Sequence, residues 1–345
     1  MAQYSNIKLP AFYIPLCDYL QSVGNVKYRN DELNSVHLLN PTKTHRISLM
    51  PEQDFVYNVE FKDSLSYSAI ADSDGYIYIF ILGHNFEESS SNIEIKLIES
   101  IDNGTSTGAE PRLNIVNDSG IGESSSPYNG FSIFKAKFSV DTFEGFEIRI
   151  RSLSETEQTL KLGCVSLCSK WNPPHNPDLS LTMTKEYDGV RTTTTKGGAT
   201  LSDAAYTRGG TWWATSYPWE LTGGDYEQGV NFAVESERTL GRRIWSMKFS
   251  YLTPESLMPK TESIENYETS LQSGVDDIEG SQSFFARVLN RVQGSHLPFI
   301  FLPNDTDPNN NPDQWAIVRF NQKDFSITQS APELYSLSMK VRESW

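Results

Sequence analysis

The sequence predicts a mainly β protein: a first half folded as a jelly-roll β-sandwich, and a second half also built of strands, carrying a single packed α-helix. Three observations lead there. Runs of β-branched and aromatic residues recur along a chain that is 12% aromatic, a composition suited to pleated, half-buried surfaces. The connections between runs are rich in Ser, Asn, Asp and Gly. Only one segment repeats its apolar residues at the period of a helix.

Taken in order, residues 1–50 read as an N-terminal arm and lead-in, and residues 51–170 as the sandwich domain. Within it, Tyr76-Ile-Tyr-Ile-Phe-Ile-Leu82 is a dense run of β-formers that opens after the turn pair Asp74-Gly75. Ile93–Leu97 alternates apolar with charged residues, which gives one wet face. Phe131–Val140 is β-rich, Phe146–Leu153 alternates again, and Leu160–Leu167 follows as a further strand. Many short strands with polar turns point to a sandwich.

Trp171-Asn-Pro-Pro-His-Asn-Pro-Asp178 is a Pro-dense break, and prolines restrict the residues before them as well as the ladder itself. The domain boundary is expected over 171–178, with the second domain over 179–345. Its first element reads as a hairpin, with arms Leu179–Thr184 and Val190–Thr195 and a turn at Asp188-Gly189. In Arg242–Leu252, Trp245, Met247, Phe249 and Tyr251 share one face, and Ile244, Ser246, Lys248 and Ser250 share the other. Thr253–Gly280 is polar and acidic and reads as a long loop. Ser281–Gln293 is the helix: Phe285, Val288, Leu289 and Val292 form one apolar stripe, Arg287 and Arg291 lie off it, and Gly294 stands at the C-terminal cap. Leu297–Leu302, Gln314–Phe320 and Leu334–Arg342 close the chain as strands.

Length and charge narrow the function. The chain has 345 residues, enough for two ordinary domains that bury cores without covalent staples. Net charge is −15 and the pI is near 4.8. With no cluster of Lys and Arg, that argues against gripping nucleic acid or docking on an anionic membrane. The N-terminus lacks the basic and apolar regions of a signal peptide, and the longest apolar run, Tyr76–Leu82, is too short for a membrane span. A soluble protein made in a cytoplasm is expected. Cys17, Cys164 and Cys168 are too few and too apolar in context for a disulfide framework, and read as small buried hydrophobes.

Chemistry-bearing motifs are sparse. The five histidines, His37, His45, His84, His175 and His296, show no metal-binding spacing. Asp72-Ser-Asp74-Gly75 and the acidic stretch Asp305–Asp313 could form calcium loops, but turn chemistry explains both. No P-loop, dinucleotide fingerprint, nucleophile elbow or zincin motif is present. No catalytic residue, cofactor site or metal site is assigned. A carboxylate pair for glycoside hydrolysis needs no motif and stays open. Trp212, Trp213 and Trp219 sit in the Gly-rich segment 209–224. They are candidate contacts for a glycan or a protein partner, the alternative being packing under a long loop.

The linker with its continuation, Trp171 to Gly189 and Thr195-Lys-Gly-Gly198, resembles a segment of minor tail proteins of tailed bacteriophages. The C-terminal part resembles the family of minor and distal tail proteins. The resemblance rests on a strand before a helix, then Gly294-Ser-His-Leu-Pro-Phe-Ile-Phe-Leu-Pro303, a Trp-led strand Trp315–Phe320, and a last strand ending in Glu343-Ser-Trp345. It covers roughly the second half and the linker, and its motifs are structural.

The resemblance implies a C-terminal β-sandwich or split barrel with one packed helix, forming a closed, hexameric ring of copies around the tail axis. It further implies contacts to the tail tube and other tail-tip proteins, a location in the virion, and an outward jelly roll of carbohydrate-binding type. The leading expectation is therefore a non-enzymatic structural protein of a phage tail or baseplate. A carbohydrate-binding adhesin module contacting host glycans is the alternative, and a glycan-cleaving enzyme the third reading.

Overall fold

The computed structural model describes residues 8–28, 35–41, 43, 45–51, 53–85, 91–102, 105–108, 113–114, 130–152, 154–186, 190–204, 242–258, 282–305 and 314–344. The chain is mainly β. Its elements begin with β1 (Ala11–Pro15), helix α1 (Leu16–Ser22), β2 (Val26–Tyr28), β3 (His45–Leu49), β4 (Asp54–Ser66) and β5 (Ile77–Leu82). Next come β6 (Ser91–Asp102), β7 (Thr105–Gly108), β8 (Leu113–Asn114), β9 (Phe131–Ala136), β10 (Thr142–Ser152), β11 (Gln158–Leu162) and β12 (Cys164–Trp171). The second half holds β13 (Thr182–Glu186), β14 (Val190–Thr194), β15 (Thr200–Ala204), β16 (Arg242–Leu252) and a short helix α2 (Pro254–Leu257). After a π-turn at Phe285–Leu289 it ends with β17 (Phe299–Leu302), β18 (Ala316–Phe320), β19 (Ile327–Ala331) and β20 (Leu334–Glu343).

All strand pairings among the described residues are antiparallel. A ten-stranded sheet runs β13-β16-β20-β18-β17-β1-β12-β5-β9, with β19 added to β20. A six-stranded sheet runs β2-β4-β10-β6-β7, with β8 on β6. Strands β4, β5, β6, β9 and β10 alternate between the two sheets along the chain, as in a jelly roll. β5 is buried at all six positions, which explains its unbroken apolar run. Ile77, Ile79 and Ile81 face the six-stranded sheet, where Val59, Phe61, Leu97, Phe146 and Ile148 meet them. Tyr78, Phe80 and Leu82 point to the opposite face and pack with Tyr13, Trp315 and Ile317.

The large sheet crosses the expected domain boundary. β1 lies between β12 of the first half and β17 of the second, with Phe12 opposite both Trp171 and Phe301. The segment expected as an N-terminal arm thus supplies the strand that joins the two halves. The second-half strands extend this sheet instead of closing on themselves. The face that carries the six-stranded sheet at one end carries the π-turn at the other, where Phe284, Val288 and Val292 cover Phe299, Val318, Phe320 and Met339.

Several local expectations differ from the structure. The run 160–167 breaks at Gly163: β11 pairs with β3, whereas β12 joins the large sheet. A side chain at Gly163 would lie 2.5 Å from the Pro41 carbonyl oxygen and 2.7 Å from that of Leu82, so the chain passes here only as glycine. The 281–293 helix contracts to a π-turn, with bonds from Asn290 N–H to Phe285 O and from Gly294 N–H to Leu289 O. The widened turn moves the inward positions to 284, 288 and 292, leaves Phe285 and Leu289 only half-buried, and buries Arg287. Gly294 has φ +69° and ends the segment in the left-handed conformation expected of it.

The expected 178–195 hairpin does not form. β13 pairs with β16, and β14 pairs with β15 through the turn Thr195–Ala199. Pairing β13 with β14 in full register would set Lys185 opposite Arg191, and directly opposed like charges destabilise a strand pair. In β16, a bulge between Phe249 and Leu252 puts Leu252 in the core and turns Tyr251 out to solvent, against the alternation read from sequence. Helix α1 and strands β1, β2, β3, β7, β8, β15 and β19 have no counterpart in the sequence reading, and helix α2 opens the segment read as a long loop. α1 spans only seven residues, too few to establish a period.

Candidate assembly surface

Sheet edges are where the fold leaves backbone donors and acceptors open, and edges must be either protected or used. Among the described residues the large sheet ends in β9 on one side and β13 on the other. The β9 side is guarded. Lys135 Nζ sits 3.9 Å from the Tyr76 ring centroid, and Lys137 Nζ donates to the Asp74 carbonyl at 3.1 Å. Lysines along an edge discourage a further strand.

The β13 side carries a single lysine, Lys185, and leaves its middle unguarded. Thr182, Met183, Thr184 and Lys185 are exposed, and Met183 shows 51% of its surface although it is cross-strand from buried Trp245. The turn leading into β13 exposes Leu179, 92% accessible. This turn is fixed to β16: Asp178 N–H donates to Lys248 O at 2.8 Å, and Ser250 Oγ donates to Asp178 Oδ2 at 2.7 Å. Tyr251 stands beside it, 70% exposed at φ +61°. That conformation is unfavourable for a bulky side chain, so the bulge holds an aromatic ring in water at an energetic cost.

β14 and β15 form a separate two-stranded sheet that pairs with no other strand among the described residues. Residues 191–202 are exposed throughout, including Leu201 at 60%. An isolated two-stranded ribbon is at best marginally stable in water. Among the described residues, the ribbon and the β13 edge thus form a surface that no other strand completes.

Two further polar clusters among the described residues build and tie the fold. Asp72 Oδ1 accepts the N–H groups of Asp74 and Tyr76 at 3.0 and 2.8 Å, and Oδ2 accepts the Tyr78 hydroxyl at 2.9 Å. Its carboxylate therefore builds the turn before β5. Asp305 Oδ2 meets Lys170 Nζ at 2.7 Å and Asn172 Nδ2 at 3.0 Å, which ties the chain after β17 to the end of β12. No group of three or more His, Cys, Asp and Glu side chains among the described residues could hold a metal ion. Residues 306–313 of the second candidate calcium loop lie outside the described residues, as do Trp212, Trp213 and Trp219.

The buried titratable groups follow the same pattern. Burial raises the Asp18 carboxyl to about 7, although the Leu39 N–H donates to its Oδ2 at 3.0 Å. Burial lowers His37 to about 4 and His84 to about 3. His37 Nδ1 lies 2.8 Å from the Tyr57 hydroxyl, and His84 Nε2 lies 2.9 Å from Ser132 Oγ. Burial likewise pushes the thiols of Cys17, Cys164 and Cys168 upward, so all three are buried protonated hydrophobes. Ser35 Oγ and His45 Nε2 lie 3.0 Å apart. A nucleophile–base pair would also need a group that orients the histidine, and among the described residues no carboxylate contact to His45 joins this one.

No protein-family model matches the chain, and no curated protein matches it. No helix of the described residues is long and apolar enough to cross a membrane.

Proposed function

We propose that the chain is a structural subunit of a tailed-phage virion, in the tail or baseplate, that assembles with copies of itself as a ring around the tail axis. The observation that carries this reading is the exposed β14–β15 ribbon together with the open, apolar-decorated β13 edge. A ring is a heterologous interface, so each copy must present two different complementary patches, and ribbon and edge are two such patches. The resemblance of 171–198 and of the C-terminal strands to tail proteins supplies the setting. The ten-stranded sheet supports the role mechanically, because an edge load enters a ladder that runs through both halves. Net charge of −15 suits a surface that repels passing DNA. The sandwich end, closed by the lysine-guarded β9 edge, is the part that would face outward.

Mass photometry of the full-length chain tests the reading, alongside electron microscopy of the purified particle. A single closed oligomer and a ring in the tail are expected. A chain that stays monomeric at every accessible concentration, and that is missing from purified tails, would refute it.

A further inference from the structure

We infer that the β14–β15 ribbon of one copy adds as strands to the β13 edge of a second copy, with Leu201 of the ribbon packing against Met183 of the edge. This inference rests on the assembly reading and names the partner of its surface.

The chemistry of the two pieces selects the occupant. Main-chain groups drive strand addition, and alternate side chains set its specificity. β13 and each ribbon strand are five residues long, so a docked strand could span the edge that the described strands leave open. Met183 and Leu201 are exposed large apolar side chains on the two pieces. Met183 lies on the face of the large sheet that carries Trp245, so an apolar neighbour placed there would extend an existing core. Thr192, Thr194 and Thr200 are exposed β-branched residues that favour the extended chain and hydrogen-bond readily to a neighbouring strand.

Two features argue against two other occupants among the described strands. The ribbon follows β13 after only three residues, 187–189, and a fold-back of β14 onto its own β13 would oppose Lys185 and Arg191. Joining the β13 edge of one copy to the β9 edge of another would bring in Lys135 and Lys137, which already engage Tyr76 and the Asp74 carbonyl. The ribbon of a second copy meets neither obstacle. It would also remove the ribbon's own exposure to water, and repetition of the same contact from copy to copy generates a closed ring or a filament.

Two full-length single variants, Met183→Cys and Leu201→Cys, provide the test. They are purified separately, mixed and oxidised, and the disulfide is mapped by peptide mass spectrometry. The native cysteines are buried and do not compete. A 183–201 disulfide between chains, formed in the mixture in preference to either homodimer, is expected. A second variant, Leu201→Asp, should shift the mass-photometry distribution to monomer without changing the melting temperature, because Leu201 is exposed in the single copy. Oligomers that form with no 183–201 disulfide, or that persist unchanged in Leu201→Asp, would overturn this contact and leave the assembly reading standing. A wild-type chain that is monomeric throughout, with no mixed disulfide, would overturn both.

Discussion

Removing Arg243 should destabilise the fold by about 3–5 kcal/mol at pH 8, the usual cost of leaving a buried charge without its partner. The partner is Glu343, only 2% exposed near the end of β20. Its Oε2 accepts the Arg243 backbone N–H at 2.5 Å, and its Oε1 meets the Arg243 Nε and Nη2 at 2.6 Å. Arg243 also donates to the Trp315 carbonyl at 2.8 Å and lies over the Trp245 ring. Burial raises the Glu343 carboxyl above its ordinary value, and Arg243 pulls it back. In Arg243→Met the second influence is gone, so Glu343 should hold its proton to higher pH in the folded chain than in the unfolded chain. A carboxyl raised in the folded state favours folding at low pH, so the variant's deficit should shrink as pH falls from 8 to 5.5. The double variant Arg243→Met/Glu343→Gln removes the stranded charge and should recover part of the loss at pH 8. Urea unfolding followed by tryptophan fluorescence measures all three chains at both pH values. A loss below about 0.5 kcal/mol for Arg243→Met at pH 8, the range of ordinary surface changes, would show that the pair does not hold β16 to β20.

Other outcomes follow from the same structure. Phe284→Ala should cost about 3–5 kcal/mol and Leu289→Ala distinctly less, since Phe284 is buried and Leu289 only half so; equal losses in denaturant melts would restore the regular helix read from sequence. Gly163→Ala should lose about 1–3 kcal/mol through overpacking against the Pro41 and Leu82 carbonyls, and an unchanged melting temperature would contradict that crossing. Asp18, raised to about 7 by burial, makes stability fall as pH rises from about 4 to about 7, by up to about 1.4 kcal/mol per unit. Asp18→Asn can still accept the Leu39 N–H and should flatten that slope in a stability–pH series, whereas an identical slope would disprove it. His37 and His84, whose protonation burial lowers to about 4 and about 3, act in the opposite sense, and their contribution is lost as pH falls below about 6.5. A fragment that begins at residue 179 should show no cooperative unfolding by circular dichroism, because Phe12, Ile14 and Trp171 belong to the second-half core; a sharp transition would mean that this half folds alone.

The wider architecture bears on how assembly could be transmitted. Arg287 and Arg291 reach from the π-turn to the carbonyls of Ser68 and Ala69, in the turn after β4, and Arg291 also meets Ser169 Oγ on β12. Two arginines thus fasten the segment that covers the second-half strands to the sandwich. The sheet and this clasp connect both halves at separate points, so a contact made at β13 has two mechanical routes into the first half.

The sequence by itself determined the elements whose signal is local. The apolar run of β5, the alternation of β10, and the glycine that ends the π-turn all follow from neighbours within a few residues, where side-chain period and φ preference act. Tertiary structure decided the rest, because pairing partners are not written in local period. Phe12 could not announce from its own surroundings that it would stand between Trp171 and Phe301, 159 and 289 residues away in sequence. Gly163 reads as a strand residue until the Pro41 carbonyl arrives beside it, and Tyr251 reads as core until a bulge turns it outward. Whether a threonine-rich ribbon lies on its own sheet or stands free depends on the residues placed opposite each other, here Lys185 and Arg191. Edges and their protection are properties of the assembled sheet, so the candidate surface became visible only when the order of its strands was known.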